Sequence, residues 1–425
     1  MNTNTLLYLK DFKRKRSRIL CLILLFSASF SLCDLSYAAT QIPSDPNALS
    51  KTRAVLNYLA TLPTRATNKI VSGQELWGGK WAREPNVIYA VTGQQVGFIE
   101  ADYGSSGENP PIGESAELAN NVMIDYWNNG GLVGAASHSI NPKTNGNYRD
   151  LNFSDTDMVA LITPGNAINT RWIAELNRLA ALLQSLQAKG VVVVWRPFHE
   201  MNAGWFWWGG KNPERYKAVW RHMHNYFTNT KGLHNLLWVW APVRQRGETS
   251  NYTTYYPGAE YVDIVGIDIY ADTFTSASDG VVNGYNQLLG LNKVFAVTEF
   301  GPGSGGAPPT KNSYDYMGFL NQVKSALPRT AYWLSWSGTW GPGEQLNATA
   351  LMNDAWVVNR DEINLSGTLP PPDTQSPSAP AGLSALAASS SQISLTWAAS
   401  TDNVGVAGYR IFRGGTQIGT TAGTS

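Results

Sequence analysis

Cysteine is almost missing from this 425-residue chain, which has only Cys21 and Cys33. Both fall in an N-terminal stretch that reads as an export signal. Lys10, Lys13, Arg14, Lys15, Arg16 and Arg18 form a basic run. Ile19 to Leu32 then makes an apolar stretch too short to span a bilayer comfortably, and Ser36-Tyr37-Ala38 fits the small-x-small cleavage rule. Removal of residues 1–38 leaves a secreted chain with no thiol and no disulfide. Such a domain must rest on a large hydrophobic core.

Charge is scarce as well. Asp, Glu, Lys and Arg make up 15% of the residues and sum to +1, against a usual quarter. That balance excludes the basic footprint of a nucleic-acid binder, and signal removal leaves no membrane segment. No Gly-rich phosphate loop follows a strand-like run, and there is no His-x-x-x-His, cysteine cluster or calcium loop, so neither cofactor nor metal is expected. His222 and His224 lie two apart on a helical segment and share no face, and His234 sits in a loop. Glycine, tryptophan and tyrosine are plentiful instead, at 40, 16 and 19 residues.

Eight apolar runs are spread along the chain. They are residues 69–73, 95–100, 131–138, 191–200, 236–242, 262–270, 294–300 and 331–336. Continuous rather than alternating apolar character suits strands buried on both faces of a parallel sheet. Between them lie helical patterns. In "NTRWIAELNRLAALLQSLQAKG", Asn169 or Thr170 is the expected N-cap. Trp172, Ile173, Leu176, Leu179, Leu183 and Leu186 form the stripe, and Gly190 is the stop. In "NPERYKAVWRHMHNYFTNT", Asn212 caps, Pro213 opens the first turn, and Tyr216, Val219, Trp220, Met223 and Phe227 form the stripe. Eight strands with intervening helices predict a (β/α)8 TIM barrel over residues 39–366, with an open doubly wound sheet as the alternative. Residues 367–378 are Pro/Ser-rich and read as a linker. Residues 379–425, with "SLTW" and "VAGYRIFRGG", resemble the first part of a fibronectin type III module, a partial β-sandwich.

In a barrel, chemistry sits at the C-terminal ends of the strands. There the fourth run places Arg196, His199 and Glu200, the seventh Glu299, the third His138, the sixth Asp268 and Tyr270, and the eighth Trp336. Two glutamates on opposing strands are the pair that glycosidic cleavage needs. One gives a proton to the leaving oxygen, and the other attacks the anomeric carbon or activates water. Aromatic surroundings raise Glu200, whereas Glu299 is placed to accept from Arg196, Tyr270 or His138. Tryptophan and tyrosine supply flat apolar faces for sugar rings, which suits a neutral polysaccharide. In "GWFWWGG", an extended chain would send Trp205 and Trp207 to one side, Phe206 and Trp208 to the other.

The motifs "WRPFHEMNAGWFWWGG", "VGIDIY" and "VTEFG", preceded by "VSGQE" and "SHSINP", resemble glycoside hydrolase family 26 in order and along the whole barrel. The resemblance implies a retaining endo-β-1,4-mannanase acting on mannan, galactomannan or glucomannan. The alternatives are a β-1,3-xylanase, a mixed-linkage β-glucanase and a non-catalytic glycan-binding protein. It implies Glu200 as acid/base and Glu299 as nucleophile. His199 and Tyr270 would orient them, and His138, Trp205 and Trp336 would contact sugars, with Trp333 and Trp340 as competitors for the last place. Arg196 is read as structural. The expected oligomeric state is a monomer.

Overall fold

The computed structural model describes residues 41–76, 83–104, 112–247, 250–305, 307–365, 376–402, 406, 408–421 and 423–425. The export signal, with both cysteines, and residues 367–375 of the expected linker lie outside them.

Among the described residues, ten short strands belong to the large domain. They are β1 (Ile70–Val71), β2 (Gly73–Leu76), β3 (Phe98–Asp102), β4 (Leu132–Ser137), β5 (Val193–Pro197), β6 (Leu236–Trp240), β7 (Ile264–Tyr270), β8 (Val294–Gly301), β9 (Thr330–Ser335) and β10 (Val357–Val358). Strands β2 to β9 run in sequence order, and β9 pairs back onto β2 as well as β8, closing an eight-strand parallel barrel. β1 and β10 add a parallel pair beside β9. Seven of the eight apolar runs become barrel strands; the first, 69–73, forms β1 and reaches the barrel only at Gly73, where β2 begins.

Among the described residues, nine α-helices accompany these strands: α1 (Ser50–Thr61), α2 (Arg83–Thr92), α3 (Ile112–Asn128), α4 (Asp155–Ile162), α5 (Ala167–Ala188), α6 (Pro213–Asn225), α7 (Val281–Leu289), α8 (Tyr316–Ala326) and α9 (Ala348–Met352). α5 starts earlier than the sequence suggested. Asn166, not Asn169 or Thr170, is its N-cap, because the Asn166 side chain accepts from the Asn169 amide. The Asn169 side chain turns inward instead and donates to the Leu161 carbonyl at 2.8 Å. The expected stop holds: the helix ends at Ala188, and Gly190 takes φ +70°. α6 opens as read, with Asn212 accepting from the Glu214 and Arg215 amides and Pro213 in its first turn.

The core has two layers. Outward residues of the strands, such as Trp195, Trp238, Val265, Val297 and Phe300, pack against the helices with Trp172, Trp220 and Phe319. Inward residues near the strand N-termini, among them Phe98, Leu132, Val192, Val194, Leu237, Ile264 and Val294, share a cluster with Val55, Leu56, Tyr58 and Leu59 of α1. α1 thus plugs the N-terminal end of the barrel with apolar side chains. Higher up the barrel, the same inward rows carry ionisable groups. Phe98 is followed two residues later by Glu100 and then Asp102, and Val194 by Arg196.

In the C-terminal region, β11 (Ala381–Ala387) pairs antiparallel with β12 (Ile393–Ala398), and β13 (Tyr409–Arg413) with β14 (Thr416–Thr421). Leu395, Trp397, Tyr409 and Ile411 are half-buried, whereas Ile393 is exposed. The Trp397 and Tyr409 rings meet edge to face at 5.3 Å. These hairpins are consistent with a small β module.

Candidate active site

Arg196 projects from β5 into the barrel axis and is fully buried. The structural part the sequence suggests for it takes the form of a hub for the site's carboxyls. Its Nε donates to Glu100 Oε1 at 2.7 Å, its Nη1 to Asp268 Oδ2 at 3.2 Å and its Nη2 to Glu299 Oε2 at 3.2 Å. Glu75 Oε2 lies 3.9 Å from the same Nη2. One guanidinium therefore faces four carboxyls from β2, β3, β7 and β8. A planar fork with five donors is the side chain suited to that task.

Glu299 reaches the axis through an irregularity of β8. Along β7 and β8 the register runs Ile267 with Val297, then Asp268 with Glu299. Thr298 is the extra residue, as in a β-bulge. Its hydroxyl points inward and donates to Asp268 Oδ1 at 2.6 Å. The skipped residue also turns the following Glu299 toward the barrel interior. The second Glu299 oxygen accepts from the Tyr270 hydroxyl. Burial and the facing Glu299 push the Tyr270 phenol well above its usual range, so it stays a donor. Of the three donors expected for Glu299, Arg196 and Tyr270 act. The His138 Nδ1 pairs with Asp102 Oδ2, and its backbone amide donates to Asp102 Oδ1 at 3.2 Å. Burial pushes Asp102 up, but His138 more than offsets this and holds the carboxyl below its usual range.

Glu200 sits beyond the end of β5 on a strained turn. Phe198 has φ +49° and Glu200 φ +56°, both in the left-handed region that a bulky side chain avoids. Packing holds the turn in place. The Phe198 ring is clasped by Trp172, Trp207, Trp208 and Tyr216. The Trp208 indole donates to the His199 carbonyl at 2.8 Å, and the Glu200 amide donates to the Ala241 carbonyl at 2.8 Å. The Glu200 carboxyl accepts from the Trp205 indole at 2.6 Å. Burial, and then the charge of Glu299, push it up to about 8. At neutral pH it holds a proton.

The "WFWW" segment does not alternate. Residues 201–210 form successive turns rather than a strand. Trp205 is 46% exposed, while Phe206, Trp207 and Trp208 are buried. One aromatic faces the opening and three pack the wall. Phe206 packs edge-on to both His138 and His199. Tyr148, which no sequence signal marked, lies 4.6 Å from the His138 ring.

His199 is buried and neutral: burial, then Arg196 and His138, push its imidazole well below its ordinary range. One of its ring nitrogens lies within 4.8 Å of carboxylate oxygens of Asp268 and Glu299. Three such donors can in principle hold a cation. Here Arg196 already bonds both carboxylates, so a dication would displace or repel a guanidinium. Trp336 follows β9 and is half-buried, as is Trp340, whose ring meets Tyr270 edge to face at 6.5 Å. Trp333 is buried against Phe319 on the outer face of the barrel and is removed as a competitor.

Residues 44–362 match the profile described as glycosyl hydrolase family 26. The chain is 35% identical over 372 residues to a mannan endo-1,4-beta-mannosidase of Bacillus subtilis strain 168, spanning 84% of this chain and 99% of that relative. Against mannan endo-1,4-beta-mannosidase A and B of Caldalkalibacillus mannanilyticus the identity is 34%, over 84% and 70% of the two chains. The crystal structure of the Bacillus subtilis mannanase BCman superposes with a TM-score of 0.69 at 35% identity, covering 78% of this chain and 99% of that one.

Proposed function

The chain belongs to glycosyl hydrolase family 26, and on that premise we propose that it is an endo-β-1,4-mannanase working by double displacement, with Glu299 as nucleophile and Glu200 as acid/base. One observation carries the reading: two carboxyls at the same barrel mouth have opposite surroundings. Glu299 accepts from a guanidinium and a phenol. Glu200 is pushed up to about 8 beside a half-exposed indole. Divergent environments of this kind support Glu200 as the acid and Glu299 as the nucleophile.

In the first step a Glu299 oxygen bonds to the anomeric carbon. The glycosidic C–O bond breaks, and its oxygen takes the Glu200 proton. In the second step Glu200 takes a proton from water, the water oxygen bonds to the anomeric carbon, and Glu299 leaves. Tyr270 and Arg196 hold Glu299 through both steps. The half-exposed Trp205 and Trp336 offer faces to the sugars, as does His138, braced by Asp102. His199, kept neutral, adds no charge that would compete for Glu299. The protein acts as a secreted monomer on soluble or wall-bound mannan, galactomannan or glucomannan.

A panel of galactomannan, glucomannan, β-1,3-xylan and barley β-glucan tests the substrate, and proton NMR of the first product tests the mechanism. Mannan-type polymers should be cut fastest and release the β-anomer first. Preference for β-1,3-xylan or β-glucan would move the specificity, and an α-anomer would overturn double displacement. Glu200→Ala and Glu299→Ala should each lose at least ~10³-fold in kcat on mannan.

A further inference from the structure

Beneath the reacting pair, Glu75 and Glu100 are unexplained by the catalytic steps. They are register partners on β2 and β3, so their side chains leave neighbouring strands toward the same axis. Both are fully buried. Glu100 bonds Arg196 directly at 2.7 Å, whereas Glu75 stands off at 3.9 Å. Among the described residues, neither Glu75 oxygen has a hydrogen-bond partner, and neither does Glu100 Oε2. Two bare carboxylates in that position would be an uncompensated buried repulsion, which structures avoid by retaining a proton.

The charge count points the same way. The charged groups that act most on Glu75 among the described residues are Arg196 and three acids: Glu100 and Asp102 from β3, and Glu299 from β8. Asp268 on β7 and Glu299 already divide the Arg196 guanidinium with Glu100. The Tyr332 phenol of β9 lies near the same group and has no hydrogen-bond partner among the described residues. A single cation cannot neutralise this ring. Of the four carboxyls on the guanidinium, Glu75 is the farthest, at 3.9 Å, and the one with no donor among the described residues.

We propose that Glu75 and Glu100 share one proton, and that Glu75, as the neutral member, is a positioning residue that holds Glu100 on Arg196 and thereby keeps Arg196 on Glu299. The positioning part rests on the assignment of Glu299 as nucleophile; the proton sharing does not. Burial, then Glu100, push Glu75 well above the usual carboxylate range, and burial pushes Glu100 up to about 7, which agrees with a proton retained by the pair. A neutral Glu75 gives Glu100 a donor and leaves one negative charge behind Arg196 instead of two. With two, the guanidinium would be drawn down the barrel and away from Glu299.

The test compares Glu75→Gln and Glu75→Ala with the parent protein. The infrared spectrum of the parent minus that of Glu75→Gln at pH 6, in H2O and in D2O, should show the carbonyl stretch of a buried protonated carboxyl; the Glu200 proton, common to both proteins, cancels. The amide is a neutral near-isostere and still donates. Glu75→Gln should therefore keep kcat/KM within about threefold and leave the acid limb of its pH profile in place. Glu75→Ala removes the donor; it should lower kcat more than tenfold, with little change in KM, and shift that limb upward by more than half a unit, as Arg196 is drawn off Glu299. If the parent-minus-Glu75→Gln spectrum shows no protonated-carboxyl band, the proton sharing is wrong. If Glu75→Gln moves the acid limb by more than about half a unit, Glu75 was charged and the positioning role fails. Should Glu75→Ala not fold, the band and limb of Glu75→Gln still decide. The infrared result stands even if Glu299 proves not to be the nucleophile, so the two failures can be told apart.

Discussion

The two glutamates differ because of their nearest donors. Glu200 must carry its proton to act as acid, so activity is lost as pH rises through its value of about 8. Among the described residues, the side-chain hydrogen bond on the Glu200 carboxyl comes from Trp205 and favours the ionised form. Trp205→Phe removes that bond while keeping an aromatic face. The alkaline limb of kcat/KM should then move up by roughly half a unit to one unit, a shift kept modest by the exposure of Trp205. A pH–rate profile of the two proteins measures it. A limb that moves down would mean that the indole does not stabilise the carboxylate. At this scale the sequence showed which acids matter, because Glu200 and Glu299 end apolar runs. It did not show Arg196 as the hub or His138 as the partner of Asp102, since strand ends say nothing about which of several donors wins. Glu75 and Glu100 were legible only as charges inside "VSGQE" and "FIEADY". A charge where both faces of a strand are buried signals an axis-facing group, and that rule would have found them.

Secondary-structure elements aim these side chains. β8 carries Glu299 to the axis by bulging at Thr298, and this places the Thr298 hydroxyl on Asp268. The space for the bulge is Gly266 on β7. A Cβ built there would lie 2.4 Å from Thr298 Cγ2 and 2.8 Å from the Ala296 carbonyl. Gly266→Ala should push Thr298 aside and misplace Glu299. We expect destabilisation of about 1–3 kcal/mol and a fall in kcat of roughly 10–100-fold. Chemical denaturation and steady-state kinetics check the two parts, and wild-type kcat in a folded variant would show that the bulge does not position Glu299. No periodicity marks a bulge, so "VTEFG" reads as a plain strand until its partner is seen. The "WFWW" segment failed for a related reason. Alternation presumes an extended chain, and the left-handed turn at Phe198 and Glu200 starts a run of tight turns in which Trp207 and Trp208 both point inward.

Across the whole molecule, the barrel divides into an apolar floor and a polar mouth. α1 closes the floor with Leu59 fully buried among Val55, Leu56 and the inward strand residues. Leu59→Ala should destabilise by about 2–5 kcal/mol through the cavity it leaves. The site sits at the other end, so kcat/KM at 25 °C should stay within twofold or so. Denaturation midpoint and kinetics report the two. Loss of activity without loss of stability would show that floor and mouth are coupled. The barrel itself was the most legible feature, because strands buried on both faces leave long apolar runs that chance seldom produces. The plug was not legible, since α1 reads like any amphipathic helix and only closure of the sheet reveals what it covers.

The most direct measurement is to trap the intermediate. A 2-deoxy-2-fluoro-mannosyl donor with a good leaving group slows the second step more than the first, and mass spectrometry of the digested protein locates the sugar. The adduct should map to the peptide carrying Glu299, be absent in Glu299→Ala, and persist in Glu200→Ala. An adduct on any other residue, or none at all while hydrolysis continues, would contradict Glu299 as the group that attacks the anomeric carbon.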